Sequence, residues 1–231
     1  VLPPERDDAP SKGELLDSVR VPGEGGKLTL HKRGDEFTIS VHDTELMSSG
    51  VHESEDALAA LSCERLTARP EAVVLIGGLG MGYTLAAALK ATGPKAKIVV
   101  AELIPAVVEW NRGPLGHLAG HPLNDPRVEV RVQDIAMSLQ TELAEFDAVL
   151  LDVDNGPEGL TRDSNNWLYS PDGLTAAYTA LKPGGVLAVW SSTPEKTFAM
   201  RLRKMGFSVD EVRIASSKHD DRHTIWLATR D

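Results

Sequence analysis

The chain of 231 residues carries 24 Lys and Arg against 34 Asp and Glu, a formal net charge of −10, with 42% hydrophobic residues and one Cys. That length and composition fit one ordinary folded unit with a small appendage, and the balance of apolar and charged residues excludes extended disorder. No apolar run approaches the ~18 residues of a membrane-spanning helix, and an acidic chain opposes nonspecific binding to phosphate backbones, so neither membrane nor nucleic acid is an expected partner.

The lone thiol, Cys63, has no internal partner, and the stretch VLPPERDDAP lacks the charged-then-apolar layout of a secretory leader, so a reducing, cytoplasmic setting is the expectation. Residues 1–13, rich in Pro, Gly and charge, read as a loose tail. From Leu15 to His42 short alternating stretches follow, LTLH (28–31) and EFTISVH (36–42) around a turn containing Gly34, which predicts a β-hairpin. Ser54 is then a candidate N-cap for a helix over 55–67, whose apolar face carries Leu58, Leu61 and Leu66. Pro70 closes this section.

Beyond Glu71 compact apolar runs alternate with amphipathic segments. The runs are VVLIGG (73–78), KIVVAEL (97–103), VEVRVQ (128–133), FDAVLLDVD (146–154) and GVLAVWS (185–191), with helices predicted at 81–91, 105–111, 136–144, 173–181 and 194–205. Apolar strands linked by helices are what a parallel sheet covered on both faces requires. The last two runs, FSVDEVRI (207–214) and HTIWLATR (223–230), have no helix between them and predict an antiparallel pair. The expected fold class is therefore α/β: a Rossmann-like seven-stranded sheet over residues 71–231, preceded by a tail, β-hairpin section and linking helix over 1–70.

The first run leads into Gly77-Gly78-Leu79-Gly80-Met81-Gly82 and then a helical stretch. Glycines at such a corner let the backbone turn tightly beside a ligand, although tight packing alone is a competing explanation. Glu102 ends the second strand, where a carboxylate can accept both hydroxyls of a ribose. Asp134 follows the third strand and Asp152 and Asp154 follow the fourth, so a glycine loop and acids at successive strand ends point to one cleft. Capping of the next turn is the other reading of Asp152. His117 and His121 are four apart, but Gly116, Gly120 and Pro122 break any helix there, so a loop pair is expected and no metal site. Cys63, Trp167, Trp190 and Trp226 read as packing, with Trp190 also placed to wall the cleft.

The order GGLGMG, AEL, QDI, LLDVDNGPEGL, LY and LKPGGVLAVW resembles the spermidine synthase family of polyamine aminopropyltransferases, within the AdoMet-dependent class I methyltransferase-like superfamily. The resemblance implies that Gly78, Gly80, Gly82 and Glu102 hold the nucleoside of a sulfonium donor and that Asp134 binds its adenine. It further implies that Asp152 orients the acceptor amine and takes its proton, and that Asp154, Asn155 and Tyr169 line the acceptor site. Two positions depart from the family pattern: Gly80 stands where an Asp usually holds the amine of decarboxylated AdoMet, and Asn155 replaces the second acid of Asp-x-x-Asp. The expected function is transfer of an aminopropyl-type group from decarboxylated AdoMet or AdoMet to a small amine, without a metal, by a homodimer. An AdoMet-dependent methyltransferase and a non-catalytic nucleoside-binding homologue are the alternatives.

Overall fold

Leu28 and Leu30, and facing them Phe37, Ile39 and Val41, alternate with more exposed neighbours, and this period of two builds the centre of a small antiparallel sheet. In the computed structural model, which describes residues 13–22, 26–42, 44–153, 167–192, 195, 197–215 and 222–231, that sheet has four strands rather than a lone hairpin. β1 (Glu14–Arg20), β2 (Lys27–Arg33), β3 (Glu36–Val41) and β4 (Thr44–Ser48) pair in sequence order. The outer strands left little trace in the sequence because neither alternates between buried and exposed residues.

The linking helix α1 (Glu53–Glu64) starts earlier and ends sooner than the apolar spacing predicts. Ser54 is not its N-cap. His52 holds that place without a side-chain hydrogen bond to the backbone, while Ser54 lies on the buried face and its hydroxyl donates to Glu55 Oε2 at 2.6 Å. Leu58, Ala59 and Cys63 are buried, and burial pushes the Cys63 thiol up to about 11, so it is a packing residue and not a nucleophile.

The larger sheet contains β5 (Val73–Gly77), β6 (Lys97–Glu102), β7 (Val128–Val132), β8 (Phe146–Leu151), β9 (Leu181–Ser191), β10 (Phe207–Ala215) and β11 (Arg222–Arg230) in the order β10-β11-β9-β8-β5-β6-β7. The five strands from β5 to β9 pair in parallel, and β10 and β11 close the sheet antiparallel. The helices α2 (Tyr83–Ala91), α3 (Pro105–Arg112), α4 (Ile135–Thr141), α5 (Pro171–Ala180) and α6 (Phe198–Lys204) overlap the segments the sequence predicts, with α3, α4 and α5 running past the predicted bounds at one end. Because β5 lies between β6 and β8, the strand order reverses there, and loops leaving their carboxyl ends part to form a crevice.

One hydrophobic cluster runs from Leu28 and Leu30 of the small sheet through Leu58 to Val74, Ile76 and Ile98, and so fixes α1 and β4 over the crevice side of the large sheet. At the opposite end Asp147 ties three segments together. Its carboxylate accepts from Arg69 at 2.6 Å, Lys182 at 2.8 Å and the Val73 amide at 2.8 Å. Burial alone would raise its pKa, but Lys182, the Val73 amide and Arg69 outweigh that and hold it below the ordinary 3.8.

Candidate active site

Beyond β5 the backbone turns through Gly78 at φ +84° and Gly80 at φ +51°, both in the left-handed region that side chains avoid. At Gly78 a Cβ would lie 2.5 Å from the carbonyl oxygen of Asp152, so the missing side chain lets the end of β8 close on the loop. Above Gly80 the side chain of Met47, from β4, fills the space: a Cβ there would lie 2.7 Å from Met47 Cε. Asn111 Nδ2 holds the loop from α3 by donating to the Gly80 carbonyl at 2.8 Å. Gly82 then caps α2.

Glu102 is buried at the end of β6 and is bound by the loop itself. Its Oε2 accepts from the Leu79 amide and its Oε1 from the Ile104 amide, each at 2.8 Å. Burial raises its pKa, and the amide hydrogen bonds only partly offset this. Each carboxylate oxygen has a further lone pair, so the same group can shape the glycine loop and still accept hydroxyls of a ligand. Asp134, at the start of α4, uses Oδ1 to accept from the Ala136 amide at 2.9 Å and caps that helix.

Asp152 follows β8 directly beside this loop. Its amide donates to Gly77 O at 3.1 Å, and its Oδ2 accepts from the hydroxyl of Thr84, in the first turn of α2, at 2.5 Å. Its pKa is pushed up to about 7, first by burial and then by the negative charge of Glu55, against the lowering effect of Thr84. Glu55 is raised as well, chiefly by burial, while Ser54, its own backbone and the charges of His223 and His52 pull the other way. The first turns of α1 and α2 meet here: the His52 ring stacks on Tyr83 at 4.1 Å, and Tyr83 donates to Ser49 O at 3.0 Å. Trp190, one residue past the Leu151–Val189 pairing of β8 with β9, borders the same end of the sheet, with the His223 ring edge-on to it at 5.0 Å.

Residues 53–204 match the Spermine/spermidine synthase domain, more than half of the chain. The chain belongs to the spermine/spermidine synthase family. It is 35% identical over 128 residues to the polyamine aminopropyltransferase of Mycobacterium tuberculosis, a match covering 54% of this chain and 23% of that protein. It is 30% identical over 125 residues to the polyamine aminopropyltransferase of a Thermoanaerobacter species, covering 54% of this chain and 42% of the relative. These alignments thus span less than half the length of either curated relative. Among solved structures, the fold superposes on spermidine synthase from Thermotoga maritima with a TM-score of 0.76 at 19% identity, covering 94% of this chain and 73% of that one. A spermidine synthase in complex with the transition state analogue AdoDATO superposes with a TM-score of 0.74 at 18% identity, covering 94% and 72%.

Within this family frame the glycine loop, Glu102 and Asp152 gather at one crevice, and Asp134 stands at the end of the neighbouring strand β7. Asp154 and Asn155 lie outside the described residues. Tyr169 is buried in the core beside Phe198, and its hydroxyl donates to the Val153 carbonyl at 3.4 Å, so it supports the segment after Asp152 from beneath. His117 sits edge-on to Phe37 at 5.7 Å, and His121 lies over Gly116. Sequence reasoning missed Thr84, Met47 and Glu55. Thr84 was accessible in principle, being two residues past Gly82 in the first turn of the helix after the loop.

Proposed function

We propose that the chain transfers an aminopropyl group from decarboxylated AdoMet to a small amine. The observation that carries this reading is Asp152, a carboxyl raised to about 7 and aimed by Thr84, beside a glycine loop closed on Glu102. A sulfonium donor brings its own leaving group, a neutral thioether that departs with the electron pair of the broken C–S bond. What remains for the protein is to hold the nucleoside, align the attacking nitrogen and accept its proton. Gly78 and Gly82 let the backbone approach the nucleoside, Glu102 offers its remaining lone pairs to the ribose, and Asp134 Oδ2 is available to the adenine amino group.

An amine with a pKa near ~10 arrives mostly as ammonium. Asp152 in its carboxylate form binds the ammonium, receives one proton and leaves a lone pair directed at the carbon as the C–N bond forms. A base whose pKa lies near the working pH suits that exchange. The amine acceptor as partner, a cytoplasmic setting and a homodimer belong to the same proposal, the last because β1 is an edge strand exposing Leu15 and Leu16.

One observation favours a second reading, an AdoMet-dependent methyltransferase. Met47 fills the space over Gly80, so that position offers the donor a thioether instead of a carboxylate. Calorimetric titration of the full chain with AdoMet and with decarboxylated AdoMet separates the two. Tighter binding of the decarboxylated form is expected, and tighter binding of AdoMet would favour the methyltransferase.

A further inference from the structure

A diamine acceptor brings two positive charges, and Asp152 can answer only one of them. Asn155 is neutral, and Gly80 is covered by Met47. The first turn of α1 presents another acid. We propose that Glu55 is the second carboxylate of the acceptor site, holding the ammonium of a diamine whose other nitrogen meets Asp152. This rests on the amine-acceptor reading above and names its substrate class more narrowly.

The placement is fixed by contacts on both sides. Ser54 donates to Glu55 Oε2 and holds the carboxylate, and the His52–Tyr83 stack docks this turn on the residue preceding Thr84, which binds Asp152. The groups whose charges act on one another here come from four elements: His52, Glu55 and Asp56 at α1, Tyr83 on α2, Asp152 after β8 and His223 on β11. Among the described residues neither Glu55 nor Asp152 forms an ion pair with a Lys or Arg, and the positive charges that reach Glu55 are those of the His52 and His223 imidazoles. A second polar group in the same place lacks a partner: His223 Nδ1, shielded from solvent against Trp190, has none among the described residues. An imidazole nitrogen that carries no proton can accept a hydrogen bond from an ammonium. Two acids without a Lys or Arg partner among the described residues, and an orphaned acceptor whose ring acts on one of them, describe a site for a cation with several N–H groups.

The test uses the full chain saturated with 5′-methylthioadenosine and titrated calorimetrically with 1,4-diaminobutane and with butylamine. Glu55→Gln keeps the acceptor for Ser54 and removes the charge. A charge-assisted hydrogen bond of ordinary strength predicts that the Kd for 1,4-diaminobutane rises roughly 10- to 100-fold while that for butylamine changes less than about twofold. Glu55→Asp recovers part of the diamine affinity, and thermal melting shows Glu55→Gln at least as stable as the parent, since a repulsion has been removed. In turnover, KM for the diamine rises with little change in kcat, and the acidic limb of the pH profile moves to lower pH because Asp152 loses a negative neighbour.

Equal diamine binding by Glu55→Gln and the parent overturns the proposal, as do equal losses for both amines or a parent chain that binds no diamine. Diamine binding through Glu55 without transfer would instead refute the aminopropyltransferase reading and leave this assignment standing. Transfer to a diamine with Glu55→Gln unaffected would do the reverse.

Discussion

Replacing Asp152 by Asn removes the carboxylate assigned to proton transfer while keeping an oxygen that can accept from Thr84. Its pKa moves from the ordinary 3.8 to about 7, first by burial and next by Glu55. At about 1.4 kcal/mol for each tenfold change, this corresponds to roughly 4 kcal/mol that the folded protein loses when Asp152 is ionised. The sign follows from a folded pKa that lies above the unfolded one. Below pH ~4 the carboxyl is protonated in both states, and stability falls as pH rises from there to about 7 and then levels off. Asp152→Asn lacks this loss, so urea unfolding should show it more stable than the parent by up to ~4 kcal/mol at pH ~8, and only slightly at pH ~4. Turnover should fall by roughly 100-fold or more, the usual contribution of a general base, with nucleoside binding retained. A stability difference that does not change with pH would show that Asp152 is not desolvated. Undiminished turnover would remove it from the reaction.

Gly78→Ala forces a side chain into φ +84° and places Cβ 2.5 Å from the Asp152 carbonyl. A loss of at least ~2 kcal/mol in denaturant unfolding is expected, together with weaker 5′-methylthioadenosine binding by calorimetry; unchanged affinity would separate the loop from the nucleoside site. Asp147→Asn leaves Arg69 and Lys182 without their buried partner, and because both cations are partly exposed the expected cost is about 2–3 kcal/mol in urea unfolding. That contribution should be present at neutral pH and vanish as the pH falls through the depressed pKa of Asp147, below 3.8, so a penalty persisting in strong acid would contradict the ion-pair account.

The parallel strands β5, β6, β8 and β9 were legible because they are largely buried on both faces and read as near-continuous apolar runs, whereas the edge strand β7 is only half-buried, and the glycine corner was legible because three residues at positive φ leave few alternatives to Gly. β1 escaped notice because Leu15 and Leu16 are both exposed and give no period of two. Ser54 misled because Ser before two acids has the composition of a helix start, yet tertiary burial turned it inward and left His52 at the cap. Glu102 could be read as a ligand residue from its place at a strand end. That its carboxylate also binds the Leu79 amide depends on the loop folding back over β6, which no local pattern encodes. Glu55 gave no signal because it sits among Glu53 and Asp56, an acidic first turn that any helix favours, and only the docking of α1 on α2 sets it apart.

The most direct test of the central claim is the mass of the product. The full chain is incubated with decarboxylated AdoMet and 1,4-diaminobutane at neutral pH, and both amine and nucleoside products are identified by mass spectrometry. The account predicts a diamine enlarged by one aminopropyl group with one equivalent of 5′-methylthioadenosine released, and loss of both products in Asp152→Asn. A methylated amine formed from AdoMet, with no product from the decarboxylated donor, would contradict it.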